Sequence, residues 1–223
     1  MTRGAALAIW LLAGCASVEG ANGGGERDLA VPAGSSDDLA TAAAPSDLAR
    51  AGDGGVVVPP VTCAAGKHVV VNEVKTGGSL AGDEFIELFN PCASTIDLAG
   101  STLVYRSATG TADVLIISLT KTVAAGGYYL VAGPNYSNGG TPDQSYGAGR
   151  LAAAGGGVGL RDAAQLLVDS VGYGTAANAF VEGAAAPAPA SGQSIARKPN
   201  GTDTNNNAAD FAVATTPTPR AAN

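Results

Sequence analysis

One histidine, one tryptophan and three cysteines in 223 residues leave little material for the commonest catalytic and metal-binding constellations. A nucleophile activated by imidazole has only His68 to draw on, and no serine or thiol stands near it in a recognisable arrangement, so His68 reads as a residue at the edge of a strand. Gly-x-Ser-x-Gly is missing: its nearest approach, Gly78-Ser79-Leu80 after Gly77, has Ala81 where the second glycine belongs. Gly147-x-Gly149-x-x-Ala152 imitates a dinucleotide fingerprint, with neither a strand before it nor a helix after it. Lys and Arg number 12 against 19 Asp and Glu and never form a run, so nothing can hold a row of phosphates or an anionic bilayer surface. No nucleic-acid partner, no cofactor and no enzymatic activity are expected. Aromatics at 5% with 32 Gly and 12 Pro argue against long helices and for many short strands joined by turns.

At the N-terminus, MTRGAALAIWLLAGC has a short positive segment with Arg3, an apolar run from Ala5 to Ala13 and small residues before a cysteine. The run is far below the ~20 residues that cross a bilayer core but suits the core of a signal peptide. Leu12-Ala13-Gly14-Cys15 resembles the lipobox of bacterial lipoproteins. That resemblance implies removal of residues 1–14 and lipidation of Cys15 as a membrane anchor. Ala16, not an aspartate, then implies export to the cell envelope with sorting to an outer membrane. Each buried methylene of an acyl chain contributes ~0.8 kcal/mol, and several chains together hold firmly.

Residues 16–62 contain no aromatic side chain and repeat Asp-Leu-Ala at Asp28, Asp38 and Asp47. One Leu per unit is too little apolar surface to stack as a solenoid, so the stretch reads as a disordered, acidic tether. Its 47 residues would hold their ends on the order of 35–40 Å apart. With Cys15 it makes a 15–62 segment between the signal and a folded region at 63–223.

From Cys63 the pattern changes to short apolar runs separated by Gly, Asn, Asp and Pro. Strands are expected near His68 to Val74, Glu84 to Phe89, Thr102 to Arg106, Val114 to Leu119, Tyr128 to Ala132, Val158 to Leu160, Leu166 to Tyr173, Ser194 to Arg197 and Phe211 to Ala214. No segment carries a capped 3.6-residue apolar stripe, so helices are expected to be absent or minor. Glu84-Phe85-Ile86-Glu87-Leu88-Phe89 is apolar on both parities, which places it inside the fold with both faces covered. Asn90-Pro91 then ends it. Lipidation of Cys15 would leave Cys63 and Cys92 to pair in an oxidising compartment; two free buried thiols are the alternative. Together these features predict an all-β, antiparallel sandwich.

The residues VVVNEV (69–74), DEFIELFNP (83–91), DLAGSTL (97–103), AAGGYYLVA (124–132), GVGLRDAAQLLVDSVGYG (157–174) and QSIARKPNGTDTNNNAADF (193–211), in this order, resemble a lamin-tail domain. That resemblance implies an immunoglobulin-like sandwich; it departs at Arg220, where glycine is usual.

Glu73, Asp83, Glu84 and Glu87 are the weak candidates for a cation site, since calcium takes six to eight oxygens. The weightier reading is structural, with Glu73 and Glu87 at matching places on adjacent strands accepting loop N–H groups. Asp203, Asn205 and Asn207 imitate the start of an EF-hand loop, yet Ala208 and Ala214 replace its glycine and glutamate, which leaves an Asx-rich turn. The functional expectation is a non-enzymatic, lipid-anchored module binding a protein or another envelope component. Two alternatives are an accessory module acting in trans with an extracellular hydrolase or nuclease, and a carbohydrate binder using Tyr128, Tyr129, Tyr136 and Tyr146.

Overall fold

Strand follows strand along the computed structural model, which describes residues 63–223; the expected signal peptide, Cys15 and the tether lie outside the described residues. The order is β1 (Val70–Lys75), β2 (Phe85–Phe89), β3 (Ile96–Asp97), β4 (Thr102–Ser107), β5 (Val114–Ser118), β6 (Thr122–Val123), β7 (Tyr128–Ala132), β8 (Gln144–Ser145), β9 (Gly155–Arg161), β10 (Leu167–Gly174), β11 (Ser194–Arg197), α1 (Asn207–Asp210) and β12 (Phe211–Ala214). They form a six-stranded sheet in the order β12-β11-β1-β2-β7-β8, a four-stranded sheet in the order β10-β9-β4-β5, and the small pair β3-β6. All pairings are antiparallel except β7 with the two-residue β8. The chain folds as an immunoglobulin-like β-sandwich.

The two large sheets enclose one apolar core that includes Val71, Val74, Ile86, Leu88, Leu103, Leu160 and Ile195. Alternation alone would send Val69, Val71 and Glu73 to the same side of β1. A register shift between Val71 and Glu73 breaks the alternation, so that Val71 and Val74 both enter the core. This bulge turns Glu73 to the outer face, opposite Glu87 of β2.

Both faces of β2 are covered, as its two apolar parities require. Ile86 and Leu88 meet the opposite sheet, while Phe85 joins Leu130, Ala132 and Tyr136 in a separate apolar cluster. The four-stranded sheet is covered differently. A Cβ on Gly157 or Gly159 of β9 would fall 2.8 Å from Phe180, so the missing side chains let that ring lie against the strand. Arg106 covers the ring from outside, 4.6 Å from its centroid.

Cys63 and Cys92 form a disulfide with their Cα atoms 4.6 Å apart, joining the approach to β1 with the turn after β2. Closing a loop of this size stabilises by roughly 3.5 kcal/mol in the chain-entropy picture. Strands β3, β6 and β8, two residues each, are too short to leave an alternation in the sequence.

Candidate functional site

The four carboxylates singled out in the sequence go to three separate places. Glu73 and Glu87 are cross-strand partners, fully buried on the outer face of the six-stranded sheet. The C-terminal segment crosses above them: Thr218 N–H donates to Glu73 Oε1 at 3.0 Å, and Arg220 N–H donates to Glu87 Oε2. Ser194 Oγ also donates to Glu73, and Asn72 Nδ2 to Glu87 at 3.3 Å. Burial pushes the Glu87 carboxyl up to about 7, with the charge of Glu73 adding to it, and burial raises Glu73 as well. Arg220 makes its contact in left-handed backbone, φ 65°.

Asp83, 3% exposed, accepts from Lys75 Nζ at 2.9 Å and from Ser137 N–H and Oγ–H. Glu84 accepts from Tyr146 O–H at 2.9 Å and from the backbone N–H groups of Arg150 and Leu151, so it pins the loop that follows β8. Their oxygens are engaged by neutral donors or by lysine, and the four residues do not converge on one site.

The largest ionic centre lies elsewhere, and sequence reasoning passed over it. Arg197 of β11 is fully buried; it donates to both oxygens of Asp169 at 2.9 and 3.1 Å, to Asp203 at 3.3 Å and to Asp210 at 3.1 Å. Phe211 stacks beneath the guanidinium, 4.6 Å from ring centroid to Cζ. Burial pushes Asp169 up to about 6 against the pull of Arg197, and Glu182 nearby reaches about 7 for the same reason, aided by Asp169 and Asp203. These residues come from β10, β11 and the stretch beyond it, and no local spacing links them.

His68 joins this centre at its rim, with Nε2 3.4 Å from Asp203 Oδ2. The ligand atoms of His68, Asp169 and Asp203 lie within 4.8 Å of one another. Arg197 already occupies both aspartates, so a cation there would have to displace or repel a buried guanidinium. The Asp203 loop is the Asx turn that its sequence implies: Asn205 N–H donates to Asp203 Oδ1, and Asn206 caps α1 by accepting from Ala209 N–H.

One of the open pockets is mainly apolar. Beside the Cys63–Cys92 disulfide a groove of about 260 Å³ is lined by Val69, Ile96, Leu98, Leu160 and Val168, with Lys67, Asp97 and Asp162 among its other lining residues. Leu166, 65% exposed, stands on the hairpin between β9 and β10. The tyrosines considered for sugar stacking do not make an exposed platform, because Tyr129 and Tyr146 are buried and Tyr136 packs edge-on against Phe85.

No curated protein matches this sequence. The family model described as Lamin Tail Domain matches residues 62–175, just over half of the chain, and stops short of β11, α1, β12 and the segment that seals Glu73 and Glu87. On that match, and on the sandwich it predicts, the chain belongs to the lamin tail domain family.

Proposed function

We propose that this chain is an exported lipoprotein, anchored through Cys15 in a bacterial outer membrane, whose tether 15–62 presents the lamin-tail sandwich as a non-enzymatic binding module for a protein or another envelope component. The observation that carries this reading is the contrast between engaged polar groups and an open groove. The buried acids described above are tied into the scaffold, whereas the groove beside the disulfide offers unfilled apolar surface of the size of a few side chains. A rigid scaffold with exposed loops is the usual carrier of such a surface.

Two measurements test it. Metabolic labelling with a fatty acid should mark the chain and fail on Cys15→Ser; equal labelling of both removes the anchor. A photo-crosslinking residue at Val168, on intact cells, should give one discrete adduct that a control at exposed Thr111 does not. Identical background at both positions removes the groove as the binding surface.

A further inference from the structure

Lys75 closes β1 on the outer face of the six-stranded sheet, where Phe85 is its cross-strand partner and Ala132 lies one strand further on. It is 3% exposed, an unusual burial for a lysine. Its Nζ lies 2.9 Å from Asp83 Oδ2 and 2.7 Å from the side-chain oxygen of Asn138. The neighbouring Phe85, Leu130 and Ala132 form an apolar cluster that Tyr136 closes from the loop carrying Asn138. A primary amine, a carboxamide and a carboxylate bonded to the amine thus meet beside apolar walls. These are the three parts that amide transfer needs: a nucleophile, an electrophile and a proton carrier. A contact at 2.7 Å to the amide oxygen puts the amide carbon near attack distance.

We propose that Lys75 and Asn138 become joined by a spontaneous isopeptide bond, with Asp83 as the general base and acid. Asp83 first takes a proton from the Lys75 ammonium. The freed lone pair attacks Cγ of Asn138, forming the Nζ–Cγ bond. As the Cγ–Nδ2 bond breaks, the nitrogen leaves as ammonia carrying a second proton from Nζ, and the proton held on Asp83 follows it to make ammonium. No oxidant and no water are consumed. The bond spans 63 positions in sequence and closes a covalent ring containing β2 through β7. A domain displayed outside the cell would gain a crosslink that reduction does not open.

The rate is set by the first step. Burial pushes the Asp83 carboxyl up, but hydrogen bonds from Lys75 and Ser137 outweigh it and hold the carboxyl below its ordinary value. The resting Asp83 is therefore a carboxylate, and proton transfer to it is uphill. Removing the Ser137 hydroxyl raises the carboxyl and shortens the wait.

Peptide mapping of the reduced full-length chain tests this. The expected result is that trypsin fails after Lys75 and yields one species joining residues 68–106 to 122–150, lighter by one ammonia than the sum of its parts. Asn138→Ala and Lys75→Met should abolish the species, and Ser137→Ala should bring it to completion sooner in a time course. Asn138→Ala alters only a half-buried loop residue, so its folding can be checked by its unchanged circular dichroism. Recovery of Lys75 with a free amine beside an intact Asn138, or beside the aspartate that Asn138-Gly139 would give on deamidation, overturns the proposal.

Discussion

Two centres of buried carboxylate lie in the same small sandwich and are neutralised in opposite ways. Around Arg197 a guanidinium faces Asp169, Asp203 and Asp210, so charge answers charge. Beneath the C-terminal segment Glu73 and Glu87 face one another and accept only from neutral groups: two backbone N–H donors, hydroxyls and an amide. Equal burial gives unequal chemistry. In the first centre burial raises Asp169 to about 6 against the pull of a counter-charge fixed in position; in the second burial raises Glu87 to about 7 with nothing of opposite sign touching the pair.

The largest effect belongs to the first centre. Arg197→Met keeps the volume and removes the charge, leaving Asp169 buried with only the Val71 N–H for company. Stranding a buried charge costs about 3–5 kcal/mol. Urea unfolding at pH 7.5 should show that loss as a lower midpoint. A loss under about 1 kcal/mol would mean that Asp169 escapes by protonation, and the contrast between the centres would collapse.

The second centre makes the opposite prediction about pH. A carboxyl whose folded value lies above its unfolded value binds extra protons in the native state, so its favourable contribution is complete below the unfolded value and is lost as pH rises through the folded one. Glu87, at about 7 against an ordinary 4.5, therefore withdraws stability between those values. Glu73 is raised as well, and Glu182, also at about 7, and Asp169, at about 6, act in the same direction. The domain should melt at a higher temperature at pH 5.5 than at pH 8. Glu87→Gln removes one of these contributors while keeping a carbonyl to accept from Arg220. It should make the profile shallower and stabilise the chain at pH 8 by about 2 kcal/mol, somewhat less than the full shift corresponds to. A wild-type melting temperature that rises steadily from pH 5.5 to 8 would reverse the assignment. At the acid end Asp83 and Asp113, both held low by their ion pairs and hydrogen bonds, take stability away as pH falls through their values.

The two centres also differ in how far the sequence announced them. Glu87 is visible because it interrupts a strand apolar on both parities, and period-two reasoning places it opposite Ile86 and Leu88. Glu73 is visible as its neighbour, but the bulge that carries it out of the core leaves no mark in the sequence. Arg197 was legible only as the last residue of a strand, because Asp169 reaches it from 28 positions away, and pairing over that distance is set by tertiary packing. The same division holds across the fold. The longer strands follow from alternation and from stops such as Asn90-Pro91. The short pairs β3-β6 and β7-β8 and the ring of Phe180 on Gly157 and Gly159 depend on contacts between segments that no local pattern encodes.

The smallest effect is the most discriminating about the second centre. Arg220 stands where the family resemblance puts glycine, and its φ of 65° is the conformation that glycine adopts without strain. Left-handed backbone costs a residue with a Cβ about 1–2 kcal/mol, partly offset by the larger unfolded entropy of glycine. Arg220→Gly also loses the guanidinium contact to Asp143, an ion pair exposed enough to be worth well under about 1 kcal/mol. The net change should lie within about 1 kcal/mol of wild type, on the favourable side. The backbone N–H that Glu87 accepts from survives the substitution, whereas the more distant positive charge does not. The melting profile between pH 5.5 and 8 should therefore keep its slope, with its midpoint displaced only slightly upward. A profile that steepens, with its midpoint moved well upward, would show that the guanidinium, not the peptide N–H, governs Glu87, and the two buried centres would then be neutralised by the same means.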